Sequence, residues 1–119
     1  MSELGDLQRT FADTMTDFLA WIKAQVDEQG RRTYLYSFED FKAHDGHMAS
    51  SCHYIKLAAD INLFEDLDHD NEIEGDEYMA NTEAHRPLGE KWKTMHPLAR
   101  WGGDWGDGNH YSFTFQGRA

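Results

Sequence analysis

The chain has 119 residues, 39% hydrophobic and 13% aromatic, enough for one domain around one core. Its net charge of -11 argues against nucleic acid as a partner, where affinity rests on cationic contacts to phosphate, and equally against anchoring to an anionic membrane. No stretch approaches the roughly 20 apolar residues of a membrane span, and the single Cys52 excludes an internal disulfide.

The first residues, Met1-Ser2-Glu3-Leu4-Gly5-Asp6, lack the basic start and apolar centre of a signal peptide, so synthesis in the cytoplasm is expected. Leu4, Leu7, Phe11, Met15, Phe18, Ile22 and Val26 recur at three- and four-residue steps. This spacing predicts one long amphipathic helix, with Gly30 at its stop. Thr33 to Phe38, rich in aromatics, reads as a short strand. Glu39 to Ser51 is polar and reads as a loop with a helical turn. Leu57 to Phe64 is a largely apolar run and reads as a buried strand. Thr82 is placed to cap a following helix on which Leu88, Trp92 and Met95 share a face, and Pro97 ends it. Trp101 to Asn109 is a glycine-rich loop, and His110 to Gln116 alternates Tyr111, Phe113 and Phe115 with polar neighbours, as a strand half-buried on one face does. The expected class is α+β, a small antiparallel sheet packed with helices, as a single domain over residues 1–119.

Three residues are candidate metal ligands, and a fourth is a candidate base. His53, Asp60 and His110 are two imidazoles and a carboxylate, a ligand set that zinc accepts with a fourth position left for water. Asp107, three residues before His110, is placed to take a proton from that water. Seven histidines in one chain make chance His–Asp pairs common, so the flanking residues matter. Ser51 and Asn109 are candidates to hydrogen-bond a ligand or the substrate, or else to satisfy loop backbone. Trp101 and Trp105 either wall a cleft or fill the core, and His85 and His96 read as structural. Cys52, adjacent to His53, reads as a small buried residue and not as a nucleophile, because neighbours on an extended strand face opposite ways.

The flanking residues bring a family into view. Ser51-Cys52-His53 with Asp60 seven residues on, Trp101-Gly102-Gly103, and the Asp107-x-x-His110 pair resemble the M15 zinc peptidases. The runs His85-Arg86-Pro87-Leu88-Gly89-Glu90 and His96-Pro97-Leu98-Ala99-Arg100 resemble the second half of small phage members. The resemblance covers roughly Arg32 to Arg118. It implies a D,D-peptidase/hedgehog-like zinc peptidase fold, zinc on His53, Asp60 and His110, and Asp107 as catalytic base. It further implies an endolysin-type L-alanyl-D-glutamate endopeptidase acting on peptidoglycan stem peptides. The alternatives are a D-alanyl-D-alanine carboxypeptidase and a catalytically impaired, metal-bearing wall-binding module. A lysis enzyme of this kind is made in the host cytoplasm, acts in the periplasm or cell wall after release, and is expected to be a monomer. The chain departs from the pattern at one place. Where many relatives carry an arginine upstream of the Ser-x-His, this chain has Ser37 in Tyr36-Ser37-Phe38-Glu39-Asp40, with Arg31, Arg32 and Lys42 as possible substitutes.

A second metal is suggested by residues 65–78, which look inserted relative to small relatives. Between Asp60 and Glu83 stand ten acidic residues and no Lys or Arg. Asp66, Asp68 and Asp70 fall at positions 1, 3 and 5 of an EF-hand-like calcium loop, Glu72 offers its carbonyl at 7, Ile73 is the apolar residue at 8, and Glu77 falls at 12. Asn71 takes the place of the usual Gly at position 6, a left-handed position that Asn tolerates. The competing reading is a solvated acidic hairpin.

Overall fold

The structure is a computed structural model that describes residues 3–38, 57–73, 77–79, 81–117 and 119. The apolar stripe near the start folds as expected into helix α1, Glu3–Ala24, which buries Phe11, Met15, Phe18 and Ile22. Acidic Glu3 and Asp6 in its first turn and Lys23 in its last complement the helix dipole. The helix ends at Ala24, before Val26 and well before Gly30. There Gln25 turns its side-chain amide back onto the Trp21 carbonyl at 2.9 Å. Val26 instead bridges Arg32 across a tight turn and is 55% exposed. Gly30 lies in that turn, at φ 78, a conformation few other residues adopt.

Four strands follow: β1, Tyr34–Phe38; β2, Ala58–Glu65; β3, Ala99–Trp101; and β4, His110–Phe113. They form one antiparallel sheet in the order β1-β2-β4-β3. Helix α2, Arg86–Thr94, precedes β3 and follows a 3₁₀ turn over Thr82–His85. The cap of that turn is Asn81, whose side-chain oxygen accepts from the Ala84 N–H at 2.8 Å, so Thr82 lies inside the turn and does not cap it.

α1 and α2 share one core with the sheet. The ring of Phe11 meets Trp92 at 5.8 Å and Phe113 at 5.2 Å, both edge-on, and Phe18 meets Tyr111 at 5.2 Å. The indole N–H of Trp92 reaches the carbonyls of Arg100, at 2.9 Å, and Ser112, at 3.1 Å. One buried side chain thus ties α2 to both β3 and β4.

Two further expectations change. Ala99–Trp101 is strand, paired residue for residue with Phe113, Ser112 and Tyr111. β4 is buried along its whole length, His110 and Ser112 included. β4 lies inside the sheet, paired with β2 on one side and β3 on the other.

Candidate metal centre and cleft

Strand register assembles the first site. Successive side chains of a strand alternate between faces. On β2, Ile61 and Leu63 point into the core, which places Asp60 and Asn62 on the opposite face. On β4, Tyr111 and Phe113 point into the core, which places His110 on that same opposite face. Asp60 and His110 are direct cross-strand partners, and the His110 Nδ1 lies 3.5 Å from the Asp60 Oδ1. Both side chains are almost wholly buried, His110 6% and Asp60 9% exposed.

Asp107 completes the group. Ligand atoms of Asp60, Asp107 and His110 all lie within 4.8 Å of one another, an arrangement able to hold a metal ion. The turn before β4 fixes Asp107 through its own backbone. The Asp107 N–H donates to the Gly102 carbonyl at 2.8 Å, and the Asp107 carbonyl accepts from the His110 N–H at 3.1 Å. Gly102 must be glycine for this. A Cβ there would strike the Asp107 carbonyl oxygen and come within 2.6 Å of the His110 Cβ. The Asn109 carbonyl accepts from the Ile61 N–H at 2.8 Å and so stitches the turn to β2 beside Asp60. Trp105, half exposed, stands edge-on to the His110 ring at 5.5 Å.

Asp107 also faces a cleft of about 170 Å³, lined by Tyr78, Asn81, Thr82, His85, Asp107, Gly108 and Asn109 among others. His85 is 2% exposed at its base. Burial pushes its imidazole pKa down, against the opposing pull of the Met79 carbonyl and the Asp107 charge, so the neutral ring is favoured. Its Nε2 lies 3.0 Å from the Met79 carbonyl, which only accepts, so the proton sits on Nε2. The Nδ1 then accepts from the Tyr111 hydroxyl at 3.2 Å. His85 is structural, as expected, and it is also the pin between the cleft wall and β4; its spacing in the sequence carries no sign of its buried position beside Asp107.

The other expected residues fall in three groups. His53, Ser51, Cys52 and Lys42 lie outside the described residues. Of the two readings of Trp101, the structure bears out the core one and not the cleft wall. It is completely buried, its indole N–H bonds the Gly108 carbonyl at 2.7 Å, and Arg86 lies over its ring at 5.2 Å, so it packs the core beneath the turn and offers no surface to a substrate. Arg31 and Arg32 stand at the wrong end of the sheet to replace an arginine near Asp60. They precede Tyr34, which pairs with Glu65, five residues along β2 from Asp60 and therefore roughly 16 Å away. Arg31 is held by Asp27 at 2.9 Å, and Arg32 by the Tyr34 carbonyl at 2.7 Å. Ser37 itself pairs with Asn62.

The second cluster follows β2 directly. Asp66, Asp68, Asp70 and Glu77 bring ligand atoms within 4.8 Å of one another. Asn71 adopts the left-handed conformation, φ 59, that position 6 of a calcium loop needs, and His69 does so too, at φ 57. Glu74, Gly75 and Asp76 lie outside the described residues. Burial, with the charges of Asp68 and Asp66, pushes the Glu77 carboxyl above its usual range, against the lowering effect of the Leu67 N–H.

Comparison of the chain with protein families, with curated proteins and with solved structures finds no match.

Proposed function

We propose that the protein is a zinc-dependent peptidase of the M15 type that hydrolyses the stem peptides of peptidoglycan. The observation that carries this reading is the meeting of Asp60, His110 and the exposed Asp107 beside a cleft. One imidazole and carboxylate oxygens suit zinc, and no thiolate is required. His53 is the further ligand the reading needs. The described residues on either side of its segment, Phe38 and Leu57, both stand at the Asp60 end of the sheet, since Phe38 pairs with Ile61. The four residues from His53 to Leu57 span up to roughly 14 Å, enough chain to reach Asp60.

When bound, zinc supplies Lewis acidity, polarising the scissile carbonyl and bringing the pKa of a water to about 7. The protein's own groups do the rest. Asp60 and His110, with His53, would hold the ion. Asp107, exposed toward the cleft, accepts the proton of the attacking water and returns it to the leaving amine. Asn109 and Tyr78 line the cleft in which the peptide lies. The bond is the one between L-Ala and D-Glu, with terminal D-Ala-D-Ala as the alternative substrate, and the wall is reached after release from the cytoplasm.

Incubation of the zinc-loaded protein with purified muropeptides, read by mass spectrometry, tests this. Fragments newly ending at L-Ala support the endopeptidase, and loss of terminal D-Ala the carboxypeptidase. A second reading, a wall-binding module without turnover, is favoured by Ser37 at the arginine position and by the distance of Arg31 and Arg32 from Asp60. Loss of an oxyanion donor costs roughly 100- to 1000-fold in rate. One zinc per chain with intact muropeptides would establish that reading instead.

A further inference from the structure

The peptidase reading makes no use of the loop after β2, where four carboxylates converge. Like charges this close repel, and the chain supplies no Lys or Arg between Asp60 and Glu83 to offset them. Two of the four are also buried. Asp66 and Glu77 are each only 4% exposed. One oxygen of each is used by the loop itself: the Asn71 N–H donates to the Asp66 Oδ2 at 3.0 Å, and the Leu67 N–H to the Glu77 Oε2 at 2.9 Å. The remaining oxygens, Asp66 Oδ1 and Glu77 Oε1, are buried with no hydrogen-bond partner. A buried carboxylate oxygen left unmatched is costly and uncommon in folded proteins.

We propose that Asp66, Asp68, Asp70 and Glu77 bind a calcium ion. One cation answers both the mutual repulsion and the two unmatched oxygens. The donors are all hard oxygens, with neither imidazole nor thiolate among them, which favours calcium over zinc. Their spacing at positions 1, 3, 5 and 12 is that of a loop wrapping a large ion with six or more oxygens, and the Glu72 carbonyl is the further donor that this spacing offers. Magnesium, smaller and strictly octahedral, is a poorer match to such a loop.

The ion also has a route to the cleft. Glu77 is followed by Tyr78, which bridges Phe64 on β2 and sets its ring tilted at 51° and 5.5 Å from the Phe64 ring. The next N–H, of Met79, donates to the Leu63 carbonyl at 2.9 Å. Tyr78 lines the cleft, and the Met79 carbonyl holds His85. Binding at Glu77 therefore fixes one cleft wall, a consequence that rests on the peptidase reading, whereas the site itself does not.

The test is calorimetric titration of the full-length, chelator-stripped protein with calcium chloride alone, paired with thermal melting. One site is expected, with a dissociation constant between about 10⁻⁷ and 10⁻³ M. A hundred-fold excess of calcium over that constant raises the melting midpoint by roughly 10 °C. Glu77→Gln weakens binding at least about ten-fold, because a charged ligand is lost. Asp68→Asn, at an exposed position that leaves the core intact, does the same and guards against a Glu77 variant that fails to fold. No saturable heat up to about 10 mM calcium, beyond the weakest loops of this kind, would overturn the site. So would unchanged affinity in both variants, or equal affinity for magnesium. Saturable binding in a protein that cleaves no muropeptide would leave the calcium site standing and remove the peptidase reading.

Discussion

The two acidic clusters are held together by different means. Asp60 and His110 are set by the register of two central strands, and Asp107 by backbone hydrogen bonds within one turn. An imidazole is built into that group, so its donors are one ring nitrogen beside two carboxylates. The cluster of Asp66, Asp68, Asp70 and Glu77 holds only carboxylates and is organised by side chains folding back onto their own loop N–H groups, such as Asp70 Oδ1 onto the Glu72 N–H at 2.9 Å. The first site rests on the register of the sheet, whereas the proposed calcium site brings like charges together on one loop. The first arrangement suits chemistry, which needs fixed distances. The second suits a response to ion concentration.

The sharpest way to break the comparison is to remove a ligand from one side alone. His110→Ala should abolish stoichiometric zinc binding and muropeptide cleavage while leaving the calcium-induced rise in melting midpoint in place. Loss of both together would mean that the clusters act as one. Next in size, Asp107→Asn should retain zinc by elemental analysis and lose roughly 100- to 10,000-fold in cleavage rate, the usual contribution of a general base. A variant that loses zinc as well would make Asp107 primarily a ligand.

A smaller effect is expected from Gly102→Ala. The added methyl meets the Asp107 carbonyl and the His110 Cβ, and crowding of this kind costs about 1–3 kcal/mol. The midpoint should fall by several degrees and zinc affinity with it, with calcium affinity unchanged. Unaltered zinc affinity would show that the turn does not set the site. Smallest is a pH effect at His85. Its folded pKa lies below the unfolded value of 6.5, so the unfolded chain binds the proton first on acidification. Stability contributed by the neutral ring is complete above pH 6.5 and declines as pH falls from there toward the folded pKa. Denaturant titrations at stepped pH should show this decline, and His85→Gln should remove it. A decline of the same slope in the variant would assign it to other groups.

Much of the fold is legible in the sequence because its elements carry strong periodic signals. The stripe Phe11, Met15, Phe18, Ile22 marks α1, and Leu88 with Trp92 marks α2. β3 is not legible, because three residues carry no period and only pairing with β4 makes Ala99–Trp101 a strand. The full burial of β4 escapes for a related reason. Alternation along Tyr111, Ser112 and Phe113 reports one covered face and is silent about neighbours that cover the other. In the site, Asp60, Asp107 and His110 can be named from residue type together with the resemblance of their flanking motifs, but their approach depends on a register that no local pattern encodes. Trp101 shows the limit from the other side: a tryptophan beside glycines reads equally as cleft wall or core, and only the contacts of its indole decide between them.

The hairpin that carries Asp107 and His110 bears on how the molecule is assembled. β3 and β4 are joined by a short connection closed by its own hydrogen bonds, so the loop-closure entropy for forming it is small. Asp60 arrives from far upstream, and its contact with His110 carries the larger entropic cost. Half of the centre is therefore local and half is long-range. A nascent chain can form the hairpin pair early, and docking of β2 is the event that turns two neighbouring side chains into a three-residue site.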